Sequence, residues 1–229
     1  YAALILKGET PNNIFEVPFL PIDFFKKEQV ICKGREIEEI FVSSGTTENQ
    51  SKHLVSDISL YKTSFSKTFE IFYGDISNCC ILALLPSYQE RDNSSLIYMV
   101  DDLIKKSGHP KSGFYLDNLS ELAETIKKLE RQEQKTILFG VTYALLDLAE
   151  GFSQKLEQTI IMETGGMKGK RKEMLKEEVH QILKTAFITE NIHSEYGMTE
   201  LLSQGYSKGN KIFNTPPWMK VLIRDVNDP

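Results

Sequence analysis

The sequence predicts an α/β fold in which a mainly parallel sheet is flanked by helices. Short, continuous apolar runs alternate along the chain with longer segments whose apolar residues recur at helical spacing. Strands that are buried on both faces of a parallel sheet have this continuous apolar character. Polar, glycine-bearing segments follow three of the runs, and such sheets bind ligands beyond the carboxyl ends of their strands.

The bulk composition narrows the possible functions. The chain has 229 residues, 41% hydrophobic and 26% charged, which fits one globular domain with a substantial core. A net charge of −5 with mostly dispersed basic residues argues against a nucleic-acid partner. No apolar run approaches the roughly 18–20 residues that span a bilayer, and the first residues lack a signal-peptide layout. We therefore expect a cytoplasmic protein.

Prolines and helix caps define the first half of the chain. Three prolines within residues 11–21 prevent a regular helix, so residues 1–36 are expected to form an extended arm packed on the domain. The predicted elements that follow are a strand over residues 38–42, a helix from residue 58 to Gly74, a strand over residues 80–85 and a helix over residues 94–106.

The second half continues the alternation of strands and helices. Asn118 and Glu121 form a predicted capping box for a helix. Leu175 and Ile182 are expected on the buried face of the last helix. The remaining predicted elements are strands over residues 136–139, 159–162, 188–193 and 218–224, and helices over residues 144–149 and 172–187.

Three further features have a structural and a functional interpretation. The cysteines have neither metal-ligand spacing nor an even number, so buried thiols are expected at Cys32, Cys79 and Cys80. His180 lies in the middle of a predicted helix, where a structural role is expected. A basic cluster crowds the predicted start of that helix, against its macrodipole, which favours either a bound anion or a solvated turn at Lys168, Lys170, Arg171 and Lys172.

The first glycine-bearing segment, residues 43–47, reads Ser-Ser-Gly-Thr-Thr between a predicted strand and a predicted helix. Its backbone N–H groups and hydroxyls suit a polyphosphate, and Lys52 and His53 follow closely enough to meet phosphate oxygens. A polar turn without a ligand is the alternative. The spacing of a Walker loop is absent.

The other two segments, residues 163–166 and 195–200, read Glu-Thr-Gly-Gly and Glu-Tyr-Gly-Met-Thr-Glu after predicted strands. Glycine at a strand end lets a flat ligand approach the backbone, and Tyr196 is suited to stack on a ring. Glu195 and Glu200 are suited to hold Mg²⁺ together with phosphate oxygens. Because all three segments are expected at the same edge of the sheet, we expect one shared site.

Taken together, in this order and at this approximate spacing, the three segments resemble the adenylate-forming superfamily of acyl-CoA synthetases, luciferases and peptide-synthetase adenylation domains. Within it, the chain looks most similar to the acyl-protein synthetases of the LuxE type, the fatty-acid-activating component of bacterial luciferase fatty acid reductase. The resemblance covers essentially the whole chain and draws further support from residues 18–22, 51–53, 85–88, 94–96 and 163–168.

The resemblance implies the N-terminal large domain of a ligase that uses ATP and Mg²⁺, with the small C-terminal domain absent from residues 1–229. Such an enzyme converts a fatty or other apolar carboxylate to an acyl-adenylate and then transfers the acyl group to a thiol of a protein cysteine, a carrier protein or CoA. By resemblance, the catalytic residues are Lys52, Thr199 and Glu200, with Glu200 on the metal. The implied nucleotide-binding residues are Ser43, Ser44, Gly45, Thr46, Thr47, Gly165, Gly166, Tyr196, Gly197 and Met198.

The chain also departs from the superfamily pattern. Glu48-Asn49-Gln50 stand where the first motif usually continues as Gly-x-Pro-Lys, so a differently shaped or more mobile loop is expected. The sequence ends before the region that carries the ribose-binding aspartate and the catalytic lysine, and none of its cysteines matches the acyl-accepting one. We expect this piece alone to be poorly active. An aryl-acetate CoA ligase and a non-catalytic nucleotide- or acyl-binding module are the alternatives.

Overall fold

A computed structural model describes residues 11–44, 50–85, 93–116, 118–167 and 169–223. Within these ranges the strands are β1 (Glu39–Val42), β2 (Lys52–Val55), β3 (Cys80–Leu84), β4 (Gly113–Phe114), β5 (Thr136–Val141), β6 (Thr159–Thr164), β7 (Ile192–Tyr196) and β8 (Gly205–Ser207). The α-helices are α1 (Phe24–Lys27), α2 (Ile58–Tyr73), α3 (Ser95–Ser107), α4 (Leu119–Arg131), α5 (Thr142–Gly151) and α6 (Lys176–Phe187). None of these helices has the length and apolar character that a bilayer crossing requires.

The main sheet of the described residues has six strands in the order β4-β3-β5-β6-β7-β8. All neighbouring pairs from β4 to β7 are parallel, and β8 runs antiparallel to β7. Every residue of β3 and β5 is buried, as expected for strands covered on both faces. The predicted α/β fold with a mainly parallel sheet is therefore confirmed. The carboxyl ends of β5, β6 and β7 lie together at one edge.

Several helices begin and end at the residues that the caps predict. The Asp57 carboxylate accepts a hydrogen bond at the start of α2, and Gly74, with φ of +80°, ends that helix. At the start of α4, Asn118 Oδ1 accepts the backbone N–H of Glu121 at 3.0 Å, and Asn118 Nδ2 donates to Glu121 Oε2 at 2.9 Å. Asn118 is therefore the N-cap of α4, but the capping box is incomplete, because Glu121 accepts from the Asn118 side chain while the Asn118 backbone N–H donates to the Tyr115 carbonyl oxygen.

The first glycine-bearing segment does not extend a strand of the main sheet. It connects β1 and β2, which pair antiparallel in a separate two-stranded ribbon. The ribbon is joined to the main body beside α3, where the Val42 N–H donates to the Asn93 carbonyl oxygen at 2.8 Å. The expectation that all three segments follow parallel strands is therefore wrong for the first one.

Helix α6 begins four residues later than predicted, at Lys176. Residues before it are held in a non-helical path because Arg171 forms ion pairs with Asp147 and Glu150 of α5. The Glu178 carboxylate accepts the Leu175 N–H at 2.9 Å, and negative charge in this first turn suits the helix dipole. The basic cluster thus precedes the helix, and the predicted conflict with its dipole does not arise. Lys168 lies outside the described residues.

Other expectations also need correction. Leu175 is 69% exposed and Ile182 is 38% exposed, so neither belongs to the core. Cys79 and Cys80 are buried as predicted, whereas Cys32 is exposed. The predicted strand at residues 188–193 begins only at residue 192, residues 218–223 form no strand, and β2, β4 and β8 were missed. The region predicted to be an extended arm contains α1 and a 3-10 turn at Ile14–Glu16, and much of its apolar surface is exposed.

Candidate functional site

A cleft of about 450 Å³ lies at the carboxyl ends of β6 and β7. All three glycine-bearing segments contribute to its wall: Ser44 from the first, Gly165 from the second and residues 195–199 from the third. The rest of the lining consists of Val42, Tyr61 of α2, residues 94–96 at the start of α3, Thr164, Lys176 of α6, Gln204 and Phe213. The second and third segments meet because β6 and β7 are neighbouring parallel strands. The first segment lies more than 100 residues earlier in the sequence and reaches the cleft from the separate β1–β2 ribbon.

The first segment reaches the cleft through Ser44. Ser43 closes the base of the loop, since its N–H donates to the Ser51 carbonyl oxygen at 3.0 Å and its Oγ accepts the Ser51 N–H at 3.0 Å. Gly45, Thr46 and Thr47 lie outside the described residues. Ser44 is therefore the point at which the structure brings the first segment to the other two.

His53 ties the β1–β2 ribbon to the third segment. Its Nδ1 lies 3.0 Å from the Thr199 carbonyl oxygen, and since a carbonyl only accepts, Nδ1 carries the proton. Burial lowers the pKa of His53, although the Thr199 carbonyl and the Glu200 carboxylate oppose part of that shift. His53, expected from the sequence near phosphate, instead fixes the position of Thr199 beside the cleft.

The Glu163 carboxylate is the centre of the polar contacts that hold the second segment in place. Thr142 Oγ1 donates to its Oε1 at 2.6 Å, and Lys176 Nζ lies 3.2 Å from its Oε2. Ser194 Oγ donates to the same Oε2 at 3.3 Å. Beyond this ion pair, in which Glu163 is buried and Lys176 is half-exposed, Gly165 turns the chain into the cleft with φ of +78°, a conformation that favours glycine. This network holds the second segment against the end of β7.

Glu195 is a buried carboxyl group in the wall of the cleft. Burial raises its pKa to about 7, and the Glu163 carboxylate adds to the shift. The hydrogen bond that Thr164 Oγ1 donates to Oε2 at 2.7 Å opposes it. The sequence indicated Glu195 as a metal ligand, but a group that is half protonated near neutrality and held by a hydroxyl is better suited to hydrogen bonding.

The mouth of the cleft is aromatic. Tyr196 is 46% exposed, and its ring meets that of Phe213 edge to face at a centroid distance of 6.0 Å. Lys176 Nζ lies 5.0 Å from the Phe213 centroid, so a cation and two rings border the opening. Such a rim is suited to a flat ring that carries anionic groups. Phe213 gave no signal in the sequence because it lies in an irregular segment without periodicity.

The deep end of the cleft is formed by buried polar groups. Tyr61 is buried, and its hydroxyl donates to the Ser95 carbonyl oxygen at 3.0 Å. Gln204 Nε2 donates to the same hydroxyl at 3.0 Å. Tyr61 follows the helical spacing of the buried residues of α2, whereas Gln204 gives no signal in the sequence because glutamine near a strand has no distinctive pattern.

Four of the site residues predicted from the sequence do not line the cleft. Glu200 is half-buried beside His53 and does not line the cleft, and Gly166 also lies outside the lining. Lys52 lines another cleft, together with Phe25 and neighbouring residues of the N-terminal region. Ser43 lies at the base of its loop. Among the described residues, no group of three or more His, Cys, Asp or Glu side chains could hold a metal ion.

Two solved structures resemble part of this fold. One is O-succinylbenzoate coenzyme A synthetase from Bacillus subtilis in complex with ATP and a magnesium ion, at 17% identity and a TM-score of 0.48, over 74% of this chain and 32% of that one. The other is 2-hydroxyisobutyryl-CoA ligase in an open conformation with 2-HIB-AMP and CoA, at 10% identity and a TM-score of 0.48, over 85% of this chain and 46% of that one. The chain thus spans less than half of either protein. No family profile and no curated protein matches it, so these similarities assign no family.

A glycine-to-alanine change at Gly197 tests the geometry of the third segment. A Cβ at this position would lie 2.5 Å from Glu195 Oε1, and Thr164 holds the other oxygen of that carboxyl group. We expect Gly197→Ala to lower the free energy of unfolding by about 1–2 kcal/mol because the carboxyl group must move. Urea unfolding of purified protein measures the effect.

Two controls identify the cause of that loss. Gly166→Ala places a Cβ with nothing within 4 Å, so its effect should stay within about 0.5 kcal/mol. In a Glu195→Ala background the clash is absent, and Gly197→Ala should then have little further effect. An equal loss in both backgrounds would contradict the proposed clash.

Proposed function

We propose that the protein activates a carboxylic acid with ATP to form an acyl-adenylate, and then passes the acyl group to a thiol. The observation that carries this proposal is the meeting of the three glycine-bearing segments at one cleft. A polar loop, a left-handed glycine turn and an aromatic rim are the parts that a nucleotide needs for its phosphates and its base.

The lining of the cleft suggests how the two substrates would be arranged. The base of the nucleotide would lie at the mouth between Gly165 and Tyr196, and the phosphates would extend toward Ser44 and Thr199. The acid would then occupy the deep end, beside Tyr61. Attack of its carboxylate oxygen on the α-phosphorus forms the acyl–phosphate bond and releases pyrophosphate. Attack of a thiolate on the acyl carbon then releases AMP.

The residues of this chain would assist by binding and orientation. Backbone N–H groups and hydroxyls of the first and third segments would stabilise the charge that develops on the phosphate oxygens. His53 would hold Thr199 in place through its carbonyl oxygen. Lys176 would contribute positive charge at the mouth.

When a protein binds Mg²⁺ together with a nucleotide, most ligands of the metal ion are phosphate oxygens and waters, so a single protein carboxylate beside the phosphates can be enough. Glu200 is our candidate for that carboxylate because it follows the cleft-lining Thr199 along the chain, although its own side chain does not line the cleft. The metal would supply positive charge against the phosphate oxygens. The lack of a multi-carboxylate cluster among the described residues fits this arrangement better than an all-protein metal cage.

The finer assignment rests on the resemblance to LuxE-type acyl-protein synthetases. On that basis we propose a fatty or other apolar acid as substrate, a cytoplasmic location, and a protein cysteine, a carrier protein or CoA as acyl acceptor. Lys52 and Gly166 remain proposed ligand-binding residues, although neither lines the cleft.

ATP–pyrophosphate exchange on the full-length protein, with Mg²⁺ and a panel of fatty and aromatic acids, tests the proposal. Exchange driven by fatty acids would support it. Exchange driven only by aromatic acids, with CoA-dependent release of product, would favour an aryl-acetate CoA ligase. ATP binding in calorimetry without exchange for any acid would favour a non-catalytic module.

Replacement of Glu200 tests the metal assignment. We expect Glu200→Gln in the full-length protein to lower Mg²⁺-dependent exchange by at least about 100-fold, because an amide is a poorer ligand than a carboxylate. The Mg²⁺ concentration for half-maximal exchange should also rise. The exposed Glu173→Gln is the matched control. An unchanged Mg²⁺ titration would exclude Glu200 as a metal ligand.

A further inference from the structure

A second pocket, of about 390 Å³, lies between α6, the paired strands β7 and β8, and residues 209–213. It adjoins the candidate cleft, because Lys176 and Phe213 line both. Its other lining residues do not line the cleft, so the proposed function gives the pocket no role.

Helix α6 presents basic side chains to this pocket. Lys176, His180 and Lys184 are spaced four residues apart, so they lie along one face of the helix. Burial lowers the pKa of His180, the Glu163 carboxylate opposes that shift, and the two ammonium groups add to it. Lys211 brings a third ammonium group from the segment that closes the pocket. Three positive charges therefore surround a neutral imidazole.

Two of these ammonium groups have carboxylate partners that water screens. Lys184 pairs with Glu190, whose side chain is 85% exposed, and Lys211 pairs with Glu177, whose side chain is 53% exposed. Exposed ion pairs contribute little free energy. Both lysines can therefore turn to an anion in the pocket at little cost.

Ser207 supplies the pocket with a hydroxyl group that has no partner. It is 3% exposed, and its Oγ makes no hydrogen bond with the residues that the structure describes. Its register partner is Ser194 of β7, so the two side chains lie side by side on the face of the sheet that α6 covers. Ser194 Oγ already contacts Glu163 and His180.

The Ser207 hydroxyl differs from the enclosed polar atoms of this region. The unpartnered side-chain atoms without accessible surface are Asp102 Oδ2, Ser203 Oγ, Gln204 Oε1 and Tyr206 OH. Ser207 Oγ is not one of them, and the residue lines an open pocket. A ligand can therefore reach this oxygen, and a buried hydroxyl gains free energy when it finds a partner.

The donors of the pocket indicate the chemistry of that ligand. Ammonium groups only donate, and the Ser207 hydroxyl has a proton to donate. A phosphate group matches them, since it has three acceptor oxygens and about 1.5–2 negative charges at neutral pH. A carboxylate has fewer oxygens and less charge. The volume of about 390 Å³ also leaves room for an organic group beside the Phe213 ring.

We propose that this pocket binds a phosphate monoester, whose phosphate group accepts hydrogen bonds from Ser207 Oγ, Lys184 Nζ and Lys211 Nζ. The site differs from the one proposed for the phosphates of the nucleotide, which extend toward Ser44 and Thr199. The inference does not depend on acid activation, because binding is measured without any acid and without turnover.

An NMR titration of the histidine ring signals of the full-length protein tests the binding. The probes are inorganic phosphate, glycerol 3-phosphate and phenyl phosphate, with acetate and chloride as control anions at equal pH and ionic strength. We expect a saturable shift of the His180 signal, assigned with His180→Gln, for both monoesters. The signal of His109, which precedes β4 at the opposite edge of the sheet, should not move.

Two variants test the proposed contacts. Ser207→Ala should raise the Kd for glycerol 3-phosphate by about 10-fold, because a hydrogen bond to a charged oxygen is lost. Lys184→Gln should raise it by at least about 10-fold, and it tests the site independently if Ser207→Ala does not fold. Lys128→Gln, on an exposed lysine of α4, is the matched control and should leave the Kd unchanged.

The affinity for a non-hydrolysable ATP analogue separates this pocket from the cleft. Neither Ser207 nor Lys184 lines the cleft, so both variants should bind the analogue as tightly as the unmodified protein does. A parallel loss of affinity for the analogue and for glycerol 3-phosphate would assign the pocket to the nucleotide and overturn the inference.

The remaining outcomes also decide against the inference. The His180 signal would then show no saturable shift with the monoesters, or an equal shift with acetate. Binding of inorganic phosphate alone would exclude a monoester, and an unchanged Kd in Ser207→Ala and Lys184→Gln would exclude the proposed contacts. None of these results bears on ATP–pyrophosphate exchange, and a failure of exchange would leave the binding result intact.

Discussion

Replacing Phe139 with alanine should lower the free energy of unfolding by about 3–5 kcal/mol, the usual range for removing a buried aromatic ring. Phe139 is 0% exposed and lies in the middle of β5, the strand between β3 and β6. Its register partners are Ala83 on one side and Met162 on the other. Because both neighbours belong to the same rigid sheet, the cavity should not collapse readily.

Urea unfolding followed by circular dichroism measures this loss as a shift of the midpoint. Phe139→Leu leaves a smaller cavity and should lose clearly less than Phe139→Ala, which keeps the comparison possible if the alanine variant is largely unfolded. Phe15→Ala is the surface control, since Phe15 is 65% exposed, and it should change stability by less than about 0.5 kcal/mol. A loss below 1 kcal/mol at Phe139 would mean that β5 is not the centre of the core.

The central elements could be predicted from the sequence because their signals are local. The apolar runs at β3, β5 and β6 are long enough to require burial, and caps such as Asn118 define helix ends by direct hydrogen bonds. Elements that depend on distant partners could not be predicted. Helix α6 starts late because Arg171 pairs with α5, and β8 is a strand only because β7 offers it an edge.

Part of the candidate site could also be predicted, because the glycine-bearing segments are local signals in the sequence. Glycine-bearing segments after strands indicate where a ligand approaches, and the neighbouring parallel strands β6 and β7 bring Gly165 and Tyr196 together. Ser44 reaches them from the separate β1–β2 ribbon, which the sequence did not predict. Periodicity gives no information on the hydrogen bond between His53 and Thr199, which joins residues 146 positions apart. Nor does it reveal Gln204, which lines the cleft and donates to the Tyr61 hydroxyl.

Glu195 should make the protein less stable as the pH rises. Burial raises the pKa of Glu195 from an ordinary value of 4.5 to about 7. Between these values the unfolded chain has already released this proton while the folded chain still binds it, so rising pH favours the unfolded state. The stabilisation is complete below pH 4.5 and is lost by about pH 7. Its size is about 3 kcal/mol, since each pKa unit corresponds to about 1.4 kcal/mol.

The contribution of Glu195 is best isolated from the difference in free energy of unfolding between Glu195→Gln and the unmodified protein, measured across the pH range. Burial lowers the pKa of His193 from 6.5 to about 4, and stability from that group rises with pH over nearly the same range. The two effects partly cancel in the unmodified protein. Glu195→Gln retains an acceptor for Thr164 but cannot ionise, so its stability relative to the unmodified protein should increase by about 3 kcal/mol from pH 4.5 to pH 8.

Urea unfolding at half-unit pH steps gives this difference directly. Glu124→Gln is the matched control, because Glu124 is exposed and its difference from the unmodified protein should stay flat with pH. A flat difference for Glu195→Gln as well would mean that Glu195 ionises like a surface carboxylate. Its carboxyl group would then carry a full charge at neutral pH in the wall of the cleft. The stability measurement therefore tests, without any substrate, the electrostatic character of the wall of the candidate site.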